Sequence, residues 1–273
     1  MGNNNINQIV QLLKKQDLAL YPLEDVLSLF RTIGSFPIIV TTLHLGRIIV
    51  RGQNYDSTAD YTIPSRHSYK PEKLNTTYQR ASTPLQTMFY GSITDEDIEK
   101  TAIDDNIPLA RHIIMTEIGK TVKEDADKET VVFSSWVVLE DINLVSVIQS
   151  DAYKTPSKSI LNLQRDFKAK FGNLPEMDFI NFVASEFSKE DASSEEDYKY
   201  LISAWFSKVC CDLGYDGVAY PSVRAGGSGL NVAIKPEAVD KKMKLIRADE
   251  VDIVREDMSV SEVARRNIIE DKS

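Results

Sequence analysis

The sequence predicts an α+β protein in which a central β-sheet is flanked by helices. Two observations carry this. Apolar residues at helical spacing occupy the N-terminal stretch and residues 157–213, and short runs rich in Val, Ile and aromatic residues recur in the remainder of the chain.

Taken in order, Ile6, Ile9, Val10, Leu12 and Leu13 repeat at helical intervals, and Val26, Leu27, Leu29 and Phe30 do so again. These form a helical pair interrupted at Pro22 and closed by Gly34 and Pro37, a glycine followed by a proline, the order expected at a helix end. RIIV at Arg47–Val50 is a short strand. The polar stretch Gly52 to Tyr78 holds two prolines and little periodicity, so it is a long loop of the kind that is functional or disordered. TMFYGSI, Thr87 to Ile93, is a second strand. TDEDIEKTA, Thr94 to Ala102, follows as a helix whose first turn is acidic, where the helix dipole favours negative charge.

Leu109 to Gly119 is a further helix, and Thr130 to Ile148 forms two strands joined by a turn at Glu140-Asp141. Helices follow at Ser157–Lys170 and Met177–Lys189. The segment SKEDASSEED is expected to be a solvated loop, with Ser193 or Ser194 capping a third helix that ends near Leu213 at Gly214. GYDGVAY and GLNVAI are two strands around a glycine-rich turn. The charged residues 251–273 are expected to fray.

Composition bounds the function. The chain has 273 residues, 42% of them hydrophobic, enough for one large core or two modest ones. A net charge of −9 argues against a broad nucleic-acid surface, which needs clustered Lys and Arg. The adjacent Cys210 and Cys211 offer no disulfide framework, which fits a reducing compartment. The polar start MGNNNINQIV resembles no secretory signal, and no run approaches the ~20 apolar residues of a membrane span. A cytoplasmic protein without a membrane partner is expected.

Common motifs are excluded. EIGKT, Glu117 to Thr121, ends like a phosphate-binding loop, but Ile114 stands where that loop needs glycine. His44, His67 and His112 lack zinc-ligand spacing with the cysteines, so no metal is expected. What remains is a local excess of cations between Arg47 and Arg80 in an acidic chain. Arg47, Arg66, Lys70 and Lys73 there are ordinary solvated side chains on this reading, whereas Arg51 directly ends a strand.

Several segments together resemble the RES-domain family: IIVRG with its arginine, YQRASTPLQTMFYGS (Tyr78 to Ser92), IIMTEIG with its glutamate, and GYDGVAYPSVR with GLNVAI. The similarity spans roughly Phe36 to Pro236. It implies an N-terminal helical extension (1–35), an NAD-cleaving domain (36–250) and a charged tail (251–273). The implied fold is similar to that of ADP-ribosyltransferase toxins, and the implied activity is cleavage of the nicotinamide–ribose bond of NAD by a toxin with a neutralising antitoxin partner. NAD would be the substrate, with no cofactor; self-association is left open. By position, Arg51, Glu117 and Ser222 are the arginine, glutamate and serine that name the family, and Arg80, Tyr90 and Asn231 are secondary pocket residues.

Two departures stand out. Leu85 occupies a position where the family commonly has glycine, which implies a different backbone conformation in that turn. The long interval from Tyr90 to Glu117 makes Glu96 and Glu99 competing carboxylates. The residue types suit the chemistry. A carboxylate stabilises the oxocarbenium ion formed as an N-glycosidic bond breaks, and an Arg fork matches a pyrophosphate. Tyr90 would lie against nicotinamide, while Ser222 and Asn231 would fix a ribose or amide. On this reading the glycines beside Ser222 let backbone approach the ligand.

Overall fold

The computed structural model describes residues 4–93, 109–122, 126–189, 193–256 and 259–270. One nine-stranded sheet organises the chain, with helices packed on it, in agreement with the α+β reading. The strands are β1 (Ile39–Leu43), β2 (Ile48–Asn54), β3 (Phe89–Ile93), β4 (Lys128–Val138), β5 (Ile142–Ser146), β6 (Gly217–Pro221), β7 (Leu230–Ile234), β8 (Met243–Glu256) and β9 (Ser259–Glu270). Their order is β1-β5-β6-β7-β3-β2-β4-β8-β9, and β5–β6 is the parallel pair among antiparallel neighbours.

The helices are α1 (Asn4–Lys14), α2 (Leu23–Ile33), α3 (Leu109–Ile118), α4 (Lys158–Phe171), α5 (Met177–Phe187), α6 (Leu201–Asp212) and α7 (Pro236–Lys242). The expected helix at Thr94–Ala102, with Glu96 and Glu99, lies outside the described residues. Ser157 caps α4, its hydroxyl accepting from Ile160 N. The N-terminal helices are not a separate body: Ile9, Val10, Leu13, Val26 and Ile33 share a core with Phe179, Phe187 and Leu201 of α5 and α6 and with Val218 of β6. Burying side chains of this size contributes roughly 1.5–3 kcal/mol each, so α1 and α2 are part of the domain's stability.

Three expectations change. Of the expected fraying tail, residues 251–256 and 259–270 are paired strand: β8 continues to Glu256 and pairs with β9, and the expected boundary at residue 250 falls inside β8. Val251 and Ile253 are fully buried, and the charges pair across strands, Arg266 with Glu250 and Asp252 at 3.0 and 2.9 Å. The end of the expected solvated loop, residues 194–197, belongs to a 3₁₀ helix, Ser194–Tyr200, in which Asp197 is buried. The two expected strands of Thr130–Ile148 are present on either side of Glu140-Asp141; β4 pairs with β2 and β8, and β5 with β1 and β6. Leu85 does not avoid the conformation a glycine would take; it adopts φ 61 with its side chain exposed, where the left-handed geometry costs about 1–2 kcal/mol.

The long loop after β2 is ordered from within. Asp56 and Asp60 each accept from the backbone and hydroxyl of the threonine two residues on, Tyr55 stacks on Tyr61, and the buried His67 ring bonds Tyr61 O at 2.7 Å.

At the centre of the sheet, β2 and β3 pair at one position, Val50 with Ser92, and part beyond it. The fork this leaves opens the sheet beside Arg51.

Candidate functional site

Glu117 lies in the last turn of α3, where a negative charge opposes the helix dipole. Specific donors compensate. Ser222 Oγ donates to Glu117 Oε1 at 2.6 Å and Asn231 Nδ2 donates to the same oxygen at 2.9 Å. Asn231 is oriented in turn by Ser92, whose hydroxyl donates to Oδ1 at 2.7 Å across the register pair Ser92–Asn231 of β3 and β7. Side chains from β3, β7, the turn after β6 and α3 thus fix one carboxylate.

The turn explains why serine stands at 222. Its amide donates to Gly229 O at 2.9 Å, its carbonyl accepts from Gly227 N at 2.8 Å, and its hydroxyl accepts from Ala225 N at 3.2 Å while donating to Glu117. The residue is fully buried and does not line the cleft, so its hydroxyl holds the carboxylate rather than reaching a ribose or amide. The glycines serve packing within the protein. A Cβ on Gly229 would stand 2.2 Å from Ile113 Cδ1 of α3, and one on Gly227, at φ 89, would stand 2.9 Å from Tyr153 Cβ.

The cleft in front of Glu117 has a volume of about 610 Å³, within the ~300–1,000 Å³ typical of small-molecule sites. Arg51, Arg80, Tyr90, Glu117 and Asn231 all line it. Arg51 sits at the fork, its Nη1 donating to Tyr90 O at 2.9 Å and its guanidinium 5.5 Å from the Phe89 ring centre. Its Nε is buried without a partner, and no described residue forms an ion pair with it. Burial lowers this guanidinium to about 10, so it remains charged at neutral pH. A half-buried cation that no described carboxylate neutralises is disfavoured by partial desolvation, and an anionic ligand would offset that cost.

Arg80 is used differently from Arg51. Its Nη1 donates to Phe187 O at 2.6 Å and Lys189 O at 2.9 Å, at the end of α5, and its guanidinium stacks over Tyr200 at 5.0 Å. It secures the cleft wall, and these bonds direct it away from the role of second pyrophosphate fork. The Tyr90 hydroxyl lies 2.9 Å from Ser82 Oγ and accepts from Ala81 N at 3.3 Å. Burial pushes its phenol up to about 12 and raises that of Tyr220 as well, so both present neutral rings.

Sequence reasoning missed Tyr220, Tyr200, Asp197 and Ser92. Tyr220 stands two residues before Ser222 and pairs in register with Asn231, a proximity the motif itself could have suggested. Asp197 had no such signal: it accepts from Tyr78 N at 2.8 Å and from the Tyr21 hydroxyl, so the segment joining α1 and α2 braces the cleft rim. Tyr21 also stacks on Tyr78 with ring centres 6.0 Å apart. No protein-family model matches the chain, and no curated protein matches it.

Ser222 is a positioning residue on this geometry. Ser222→Ala is expected to keep cooperative unfolding and to lower kcat on the cleft's substrate roughly 10-fold, about the value of one hydrogen bond to a charged group, with KM unchanged. Ser222→Thr should restore most of the loss. Equal effects on kcat and KM, without rescue by threonine, would make Ser222 a structural cap alone.

Proposed function

We propose that this protein cleaves the nicotinamide–ribose bond of NAD. The observation that carries the reading is the pairing in one cleft of Glu117, a carboxylate that accepts from Ser222 and Asn231, with Arg51, a half-buried cation whose Nε has no partner and which forms no ion pair among the described residues. The dinucleotide pyrophosphate supplies the missing anion, and the Arg fork matches its oxygens. Glu117 then faces the ribose. As the C–N bond breaks, its electron pair leaves with nicotinamide and positive charge develops on the ribosyl carbon and ring oxygen, which the fixed carboxylate stabilises more in the transition state than in the ground state. Water completes the reaction by adding to that carbon, giving ADP-ribose, nicotinamide and a proton. Phosphate in place of water gives ADP-ribose 1-phosphate.

Tyr90 and Tyr220 offer neutral aromatic walls for the departing ring. The RES-domain reading, with its ADP-ribosyltransferase-toxin type of fold, rests on the sequence segments that carry the resemblance, and the mixed α+β architecture is consistent with it. Among the described residues no helix is long and apolar enough to cross a membrane, which is compatible with action on the cytoplasmic NAD pool. In that setting the protein acts as a bacterial toxin restrained by an antitoxin. The same cleft would transfer ADP-ribose to a macromolecule if an acceptor group replaced water.

Induced expression without a neutralising partner is expected to arrest growth and to deplete cellular NAD before viability falls, measured by enzymatic cycling of extracts. Arrest with an undiminished NAD pool contradicts NAD consumption; appearance of ADP-ribosylated macromolecules instead of free products favours transfer.

A further inference from the structure

Beyond the fork, a second groove of about 880 Å³ runs between the loop after β2 and the start of β8. Arg51 and Gln53 line both this groove and the cleft of Glu117, so the two spaces meet at the same guanidinium. The second groove is strongly basic for a chain of net charge −9: Arg51, Arg66, Lys70 and Lys244 line it against one carboxylate, Asp240, which already accepts from the Tyr69 hydroxyl at 2.8 Å. The side chains of Arg66 and Lys70 make no hydrogen bond or ion pair with any described residue. Most surface cations are simply solvated. These two differ because they flank Arg51, a half-buried arginine that forms no ion pair among the described residues.

The loop that carries them is fixed. Gln53 Nε2 donates to Arg66 O at 3.1 Å, and the adjacent His67 is buried and bonded to Tyr61 O. Burial lowers the His67 pKa most; the bond to Tyr61 O raises it, and Arg51 and Arg66 lower it by smaller amounts. Trp136 and Tyr69 add aromatic surface to the wall. A concave site with aromatic surface and clustered cations suits a nucleoside bearing a phosphate group.

We propose that this groove is a phosphomonoester subsite: with the pyrophosphate at Arg51, the adenosine end of the dinucleotide crosses the fork, and Arg66 and Lys70 bind a phosphate on its ribose. The substrate class then includes NADP, held more tightly than NAD. The inference rests on the dinucleotide reading of the cleft, but its test does not require bond cleavage. The same cations would also take free inorganic phosphate, and the experiment separates the two sources.

Calorimetric titration compares NAD with NADP, AMP with adenosine 2′,5′-bisphosphate, and inorganic phosphate alone. The phosphate-bearing member of each pair is expected to bind roughly 10-fold tighter, the scale of one or two charge-assisted hydrogen bonds. Arg66→Gln with Lys70→Gln should abolish that preference, while Lys73→Gln, outside the groove, should leave it intact. Loss of the preference in the double variant with an unchanged melting temperature supports the subsite. If the pairs bind equally but inorganic phosphate binds in a manner lost in the double variant, the groove takes free phosphate. If the pairs bind equally and phosphate does not bind, or if the preference survives the double variant, the subsite is overturned. Tight bisphosphate binding by a protein that leaves NAD intact would retain the subsite and reject the cleavage reading; NAD cleavage without any phosphate preference would do the reverse.

Discussion

Glu117→Gln is expected to release nicotinamide about 100-fold more slowly than the parent protein, a loss of about 3 kcal/mol in line with other preorganised electrostatic groups. The substitution is nearly isosteric, and the amide oxygen can still accept from Ser222 Oγ and Asn231 Nδ2, which now bond Glu117 Oε1 at 2.6 and 2.9 Å. What disappears is the negative charge. That charge matters little to bound NAD but opposes the positive charge of the oxocarbenium ion, so kcat falls while NAD affinity changes little. Single-turnover nicotinamide release, with affinity from calorimetry, separates the two. A parental rate would show that Glu117 is not the carboxylate at the reacting carbon.

Arg51→Ala is expected to show the opposite pattern. The guanidinium would contact pyrophosphate in both ground and transition states, so its loss weakens NAD binding roughly 10–100-fold, the range for hydrogen bonds between charged groups, and changes the chemical step much less. The fold should tolerate the change. Removing Arg51 forfeits its bond to Tyr90 O at 2.9 Å but also removes a charge that burial already disfavours. Arg51→Lys serves as the companion variant: it keeps the charge and loses the fork, and is expected to recover only part of the affinity. Unchanged NAD affinity in both variants, with folding intact by circular dichroism, would remove Arg51 from the binding site.

Much of the fold was legible because local physics decided it. α4 and α5 follow apolar periodicity, with Ser157 closing the start of α4, and β2, β3, β6 and β7 follow runs of Val, Ile and aromatic residues. β1 was not recognised. It is a short strand at the sheet edge, where Thr41 and Thr42 interrupt the apolar run. The end of β8 and all of β9 fall in the stretch expected to fray because charges dominate its composition, although Val251 and Ile253 alternate with those charges and face the core.

The site divides along similar lines. Family resemblance singled out Arg51, Glu117, Ser222 and Asn231, and the structure brings Glu117, Ser222 and Asn231 into direct contact. The hydroxyl of Ser222 points beneath the carboxylate rather than into the cleft because residues 105 positions apart meet there, a relation no local pattern encodes. Arg80 illustrates the same limit: its partners at Phe187 and Lys189 lie on a helix end more than a hundred residues away. Sequence type marks a residue as able to bind an anion, and long-range packing decides whether that capacity is already used.

The central claim is tested most directly by incubating the purified protein with NAD and following nicotinamide by chromatography, alongside Glu117→Gln. The account predicts stoichiometric nicotinamide together with ADP-ribose or ADP-ribose 1-phosphate from the parent, and about 100-fold slower release from the variant. Recovery of intact NAD from a saturable complex, with the parent and Glu117→Gln alike, would contradict it and leave a dinucleotide-binding protein without this chemistry.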